Sequence, residues 1–141
     1  MAGITFEDYV VTEATYIKNL NYDFEGESSL DSDLRCKISI EDNLNAEVRL
    51  ECTIGSMVEG NSPFQVKATL MGMFTYNEEE SDEIKFENLL SPNAIAILFP
   101  YLRTVISNLT SMSNDFPTLN LPVMNIAKMM EDNDLIELVH Y

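Results

Sequence analysis

One change of period constrains this chain more than any other feature. Up to residue 76 its apolar residues fall largely on alternate positions; from residue 88 they recur every third or fourth. Period 2 suits a strand with one buried face, and period 3.6 suits an amphipathic helix. Strands therefore come first and helices afterwards, the order of an α+β domain.

Four strands are read between about residues 6 and 76. Over residues 14–25, Ala14, Tyr16, Lys18, Leu20, Tyr22 and Phe24 share one parity; Phe6, Tyr9, Val10 and Val11 extend that run or precede it as an edge segment. Residues 26–33 are a polar loop. Leu34, Cys36, Ile38 and Ile40 then alternate with Arg35, Lys37, Ser39 and Glu41. Ala46, Val48, Leu50, Cys52 and Ile54 alternate with Glu47, Arg49, Glu51 and Thr53. Between them Asp42-Asn43-Leu44-Asn45 has turn chemistry. Pairing about residue 44 sets Ile40 against Val48, Ile38 against Leu50 and Cys36 against Cys52, with every apolar side chain on one face. The cysteines are expected to be buried free thiols. After the turn Gly60-Asn61-Ser62-Pro63, a fourth strand alternates from Phe64 to Tyr76, and its stretch Leu70-Met71-Gly72-Met73-Phe74 is apolar on both faces. Such a strand is covered twice or offers apolar surface to a partner.

Residues 77–87 form an acidic loop, with five carboxylates in the six positions 78–83. Ser91-Pro92 reads as a helix start. Ile95, Leu98, Leu102, Val105, Leu109 and Met112 follow at helical spacing, and Arg103 is the one charge in residues 92–112. So apolar a helix is expected to be buried on two sides, most simply by self-association along that seam. Pro100 either kinks or breaks it near residues 96–100. Pro117 and Pro122 exclude regular helix over residues 113–124. A last amphipathic helix is expected at 125–139.

Charge narrows the partners. The chain has 141 residues, 8 Lys+Arg and 24 Asp+Glu, for a net −16. That balance opposes binding to nucleic acid or to an anionic membrane surface. No run approaches the roughly 20 consecutive apolar residues of a membrane helix. The opening residues lack the basic and apolar segments of a signal peptide, so a cytoplasmic protein is expected, with no membrane insertion. Residues 1–90 carry −13 and residues 91–141 carry −3, which makes the sheet half the acidic half. No phosphate-binding glycine loop, metalloprotease helix, nucleophile elbow or paired-cysteine motif is present, and the single His140 lies next to the last residue. Neither an enzyme, nor a metal site, nor a cofactor is expected.

One pair of segments carries a resemblance. Ile97-Leu98-Phe99-Pro100-Tyr101-Leu102-Arg103, followed by Phe116-Pro117-Thr118-Leu119-Asn120-Leu121-Pro122-Val123-Met124-Asn125, resembles the SecB family of protein-export chaperones. Met71-Gly72-Met73-Phe74 and residues 16–24 are similar to that family's last and first strands. The resemblance spans nearly the whole chain. It implies one domain over residues 1–141: a four-stranded antiparallel sheet with the long helix and a C-terminal helix packed on one face. It implies a dimer or a dimer of dimers joined by the long helices. It implies an ATP-independent holdase whose unfolded polypeptide clients lie in apolar grooves, lined here by Met71, Met73, Phe74, Leu119, Leu121, Val123 and Met124. Its docking positions for the SecA translocation ATPase fall at Asn19, Asp23 and Lys67, of which Asp23 alone keeps a carboxylate. Ala94-Ile95-Ala96 stands as an insertion relative to the family. Divergent relatives serve toxin–antitoxin systems, so the implied partner is an export client or an antitoxin. The same fold with its groove filled by its own loop would instead bind one dedicated partner.

Overall fold

The structure is a computed structural model; it describes residues 3–114, 116, 117, 119, 121 and 125–141. Strand β1 spans Ile4–Lys18, β2 Ser32–Glu41, β3 Asn45–Ile54 and β4 Phe64–Tyr76. A 3-10 turn at Glu78–Glu80 precedes helix α1, Phe86–Ser113, then come helix α2, Ile126–Asp132, and strand β5, Ile136–His140. The five strands form one sheet in the order β1-β4-β3-β2-β5. All neighbours are antiparallel except β2 and β5, which run parallel. The α+β class stands, and the expected four-stranded sheet gains a fifth strand at its edge.

The alternation explains the core. Ile38, Ile40, Val48, Leu50, Val66, Ala68 and Leu70 are at most 1% exposed and face α1, whose Leu90, Ile95, Leu98, Leu102 and Ile106 are fully buried in return. Gly72 lets the helix approach: a Cβ there would lie 2.8 Å from one Leu98 methyl and 3.0 Å from the Phe74 ring. Both cysteines are buried and free, and loss of hydration pushes both thiols up to about 12, with the Asp33 charge adding at Cys52.

Several boundaries differ from the sequence reading, each for a local reason. The β2–β3 hairpin keeps the expected parity but is shifted by two residues. Ile38 faces Val48, Cys36 faces Leu50 and Cys52 faces Leu34, so the two cysteines are not opposite one another. Asp42 and Asn43 both adopt positive φ (51° and 54°), and Leu44 N donates to Glu41 O at 3.1 Å; this centres the turn on residue 43 instead of 44. β1 lies earlier than the 14–25 run. It ends at Lys18 because Asn19 and Asp23 bond the backbone themselves: Asn19 Oδ1 accepts from Asn21 N (3.0 Å) and Asp23 Oδ1 from Glu25 N (3.0 Å). Register shifts between Phe6 and Asp8 and between Val11 and Glu13 mark bulges, which is why strict alternation fails there.

Helix α1 begins five residues before Ser91, anchored by buried Phe86, Leu89 and Leu90 at helical spacing. Both Pro92 and Pro100 lie inside it, on positions exposed to solvent, and the helix is not divided. The expected helix 125–139 is the largest correction. Only its first half is helical; Asp134 takes φ 54°, the chain reverses, and residues 136–140 become β5.

Candidate polypeptide-binding site

The edge strand β1 carries an apolar strip on the face turned towards α1. Tyr9, Val11, Ala14 and Tyr16 are in register with Gly72, Leu70, Ala68 and Val66 and so point to the helix side. Unlike those partners they are not buried: Val11 is 40% exposed. α1 closes one end of the strip, where Tyr101 stacks on Tyr9 at 4.2 Å and 28°. At the other end Tyr16 stacks on Phe64 (5.3 Å), Phe64 meets Phe116 (5.7 Å), and Tyr22 stands edge-on to both Phe116 (6.0 Å) and Phe24 (4.8 Å). Phe24 is 77% exposed and Leu20 85%. Contiguous exposed aromatics of this kind are surfaces for association, since rings bury large areas with few rotors to freeze. The Tyr16 hydroxyl is buried without a partner among the described residues.

The groove residues read from the sequence do not converge. Met71 and Met73 are half-buried on the outer face of the sheet, opposite α1. Phe74 is on the helix face but 1% exposed, covered by Phe6 at 5.3 Å. The sheet therefore separates the two methionines from Phe74, as period 2 requires of neighbours in a strand. Leu119 and Leu121 are half-buried and held along α1: Leu119 N donates to Thr110 Oγ1 (2.9 Å), and Arg103 Nε donates to Leu121 O (3.0 Å). Val123 and Met124 lie outside the described residues. Sequence reasoning missed Tyr9, Val11, Tyr101 and Phe116. The aromatic spacing Tyr16, Tyr22, Phe24 is a usable signal, because rings on alternate positions suit a half-buried strand face and an exposed strip alike.

The self-association seam is also redrawn. Ile95, Leu98 and Leu102 are fully buried against the chain's own sheet, so they are core positions and not an interface. Val105 and Leu109 are half-buried, and Met112 is 73% exposed. Apart from Met112, what α1 turns outwards is mostly small or polar, with Pro92, Ala96, Pro100, Thr104, Asn108 and Ser111 exposed and Tyr101 38% exposed. This helix is long and apolar enough to cross a membrane by length and composition, yet its apolar stripe is spent on the sheet.

The outer sheet face is charged. Lys67 Nζ lies 3.4 Å from Glu13 Oε1 and 3.4 Å from Glu51 Oε1, bridging the strands on either side. These two hydrogen-bonded carboxylates hold the Lys67 ammonium above its ordinary value. Asn19 and Asp23 are engaged in the turn after β1, with Asn19 Nδ2 donating to Ser62 O at 2.8 Å and Asp23 N donating to Asn61 Oδ1 at 3.0 Å. Among the described residues no three His, Cys, Asp or Glu side chains are grouped to hold a metal ion.

The family model described as preprotein translocase subunit SecB matches residues 10–134. An uncharacterized protein of Methanocaldococcus jannaschii is 29% identical over 133 residues, 91% of this chain and 83% of that protein. The protein-export protein SecB of Anaplasma phagocytophilum is 38% identical over 86 residues, 60% of this chain and about half (54%) of that protein. In three dimensions the chain resembles a SecB-like chaperone of Mycobacterium tuberculosis, solved in complex with a ChAD peptide from the HigA1 antitoxin. The TM-score is 0.64 at 16% identity, covering 86% of this chain and 91% of the other, which is a likeness of fold. With the family match running from within β1 through α1 and α2, this chain belongs to the SecB family, as a divergent member.

Proposed function

We propose that this protein is a chaperone that holds unfolded polypeptide segments on the aromatic strip of β1 without using nucleotide. The observation that carries the reading is the exposure of Val11, Phe24 and Tyr101 around a shelf whose floor is the rigid sheet core. An extended client lays alternate side chains between the Tyr9–Tyr101 stack and the Tyr16–Phe64–Phe116 cluster, and its free backbone groups face the unpaired edge of β1. The surrounding charge of −16 favours clients with basic residues and keeps the exposed rings soluble. No step needs a cofactor. The client is an export substrate or an aggregation-prone partner such as an antitoxin, met in the cytoplasm; where the resemblance puts a SecA-docking carboxylate stands Lys67, which offsets one of the two charges of Glu13 and Glu51, so SecA does not dock there. Self-association uses the end of α1 at half-buried Leu109 and exposed Met112.

The test is suppression of aggregation of a refolding client in the absence of nucleotide, compared with Val11→Asp. The wild type suppresses and the variant does not; equal suppression by both removes the strip from the mechanism. Light scattering gives a dimer or tetramer mass, and a monodisperse 16 kDa species contradicts the association.

A second reading has its own support. Phe116 already sits on Phe64, and Leu119 and Leu121 are tied to α1, so the chain fills part of the strip itself. A site filled in this way suits one dedicated partner. Pull-down separates the two: many unfolded polypeptides for the holdase, one protein for the module.

A further inference from the structure

The edge of the sheet opposite β1 is only half covered. β2 runs ten residues, Ser32–Glu41, while β5 pairs with the five from Cys36 to Ile40. Among the described residues Ser32 to Arg35 pair with β3 alone. β5 is itself a weak cover. It has five residues, it runs parallel, and none of its side chains is buried; Leu138 is 44% exposed. On the β2 strand beside it Cys36, Ile38 and Ile40 are 3%, 1% and 1% exposed. Parallel pairing is the less stable of the two ladders, and so short a strand forms only a few of its bonds. Its start is fixed by Cys36 N donating to Leu135 O (3.1 Å) and its end by Tyr141 N donating to Ile40 O (2.8 Å). Its side-chain ties are the packing of half-buried Ile136 against the core and a contact of His140 Nε2 with Glu87 Oε2 at 2.8 Å, on a side chain 53% exposed.

Charge is sorted around the same edge. A concavity of about 460 Å³ opens where β5 leaves α2, and three of the chain's eight Lys+Arg line it: Arg35, Lys37 and Arg49. Facing them are Glu51, Asp134 and Glu137, the last two contributed by the β5 segment. Arg35 also has Asp33 at 3.1 Å, and Arg49 has Glu51 at 3.7 Å. Lys37 is in register with Glu137. When β5 leaves, Arg35 and Arg49 keep carboxylates from their own strands, and Lys37 loses the one beside it.

We propose that the β2 edge is a strand-exchange site for a partner polypeptide. The incoming segment is extended, apolar at alternate positions, and carries an acidic residue placed against Lys37. It pairs first with the open half-edge at Ser32 to Arg35 and then takes the place of β5. β5, with the sequence Ile-Glu-Leu-Val-His, is the occupant in cis and has the composition the partner must copy. This site is separate from the aromatic strip on β1 and does not depend on the holdase reading.

The probe is a fluorescein-labelled peptide, Asp-Leu-Ile-Glu-Leu-Val-His-Tyr, identical to residues 134–141, titrated with the full chain and followed by anisotropy. Saturable binding is expected, and replacing the peptide's glutamate by lysine weakens it about threefold or more. The variant Ser39→Cys/Val139→Cys, at positions in register, locks β5 when oxidised. Oxidation then abolishes peptide binding and reduction restores it. Amide exchange on the unaltered protein gives an independent reading: β5 amides exchange much faster than those of β3. Binding that ignores the disulfide, no binding with β5 amides as protected as β3, or disulfide cross-links forming only between copies would each overturn the proposal.

Discussion

Gly72→Ala is the sharpest test of how α1 sits on the sheet. The new Cβ would stand 2.8 and 2.9 Å from the two Leu98 methyls and 3.0 Å from the Phe74 ring. Leu98 is fully buried and Phe74 is 1% exposed, so neither has room to turn away. Overpacking of this kind costs about 1–3 kcal/mol. Against it stands a gain of about 0.4–1 kcal/mol, because alanine leaves the unfolded chain less entropy to lose. A net loss of about 1–2 kcal/mol in urea unfolding is expected. Leu98→Ala alone costs about 2–5 kcal/mol through its cavity. In the double variant the methyl at 72 no longer meets the leucine and keeps only its contact with the Phe74 ring, so most of its cost is relieved and part of the cavity is filled. The double-mutant cycle therefore shows a favourable coupling of about 1–3 kcal/mol. A neutral Gly72→Ala, or two changes that simply add, would refute the close approach of α1 to β4. The aromatic strip depends on it, since Tyr101 reaches Tyr9 one helical turn beyond Leu98.

Three further outcomes follow from the same geometry. Tyr101→Ala removes the stacked ring at 4.2 Å from Tyr9; client suppression falls severalfold while the urea midpoint moves little, because Tyr101 is 38% exposed. Cys36 and Cys52 stay unreactive to a thiol reagent at pH 8 until the protein unfolds. Their folded values near 12 lie above the ordinary 9.0, so the native state holds its protons longer, and their contribution to stability, complete below pH 9, is lost as pH rises towards 12. Lys67→Ala leaves Glu13 and Glu51 facing one another across β4; the melting temperature drops at low ionic strength, and the drop shrinks in 1 M salt, where the repulsion is screened.

What was legible in the sequence was parity, and what was not was position. Alternation put Ile38, Val48, Leu50 and Val66 on one face, and all are core. It could not place the turn, because a shift of two residues preserves every side; the positive φ of Asp42 and Asn43 decided that. The helical seam from Ile95 to Leu102 was real, but a periodic stripe does not say what it faces, and the sheet claimed it before any partner. The groove lining implied by the resemblance sets Met71 and Met73 beside Phe74, although strand parity divides them. By sequence the 125–139 segment reads as one helix, because Ile126, Met129 and Met130 set a helical spacing that Leu138 fits. Asn133-Asp134 was the missed stop signal, and the β-branched residues Ile136 and Val139 the missed strand signal.

The two sheet edges show how such a chain exposes apolar rings and stays unaggregated. An exposed edge is a template for uncontrolled pairing unless something interrupts it. β1, fifteen residues long and unpaired on one side, is interrupted by its two bulges, so that regular pairing is confined to short runs. Its outer-face positions include Asp8 and Glu13, which place carboxylates at those same irregularities. β2 has neither device: its ladder to β3 is regular over all ten positions, and its edge side chains Cys36, Ile38 and Ile40 belong to the core. It is the edge with more to lose from exposure, and it is the one given a strand of its own. Bulges suit an edge beside the strip where clients are held loosely. A detachable strand suits an edge that must stay closed until a specific segment arrives.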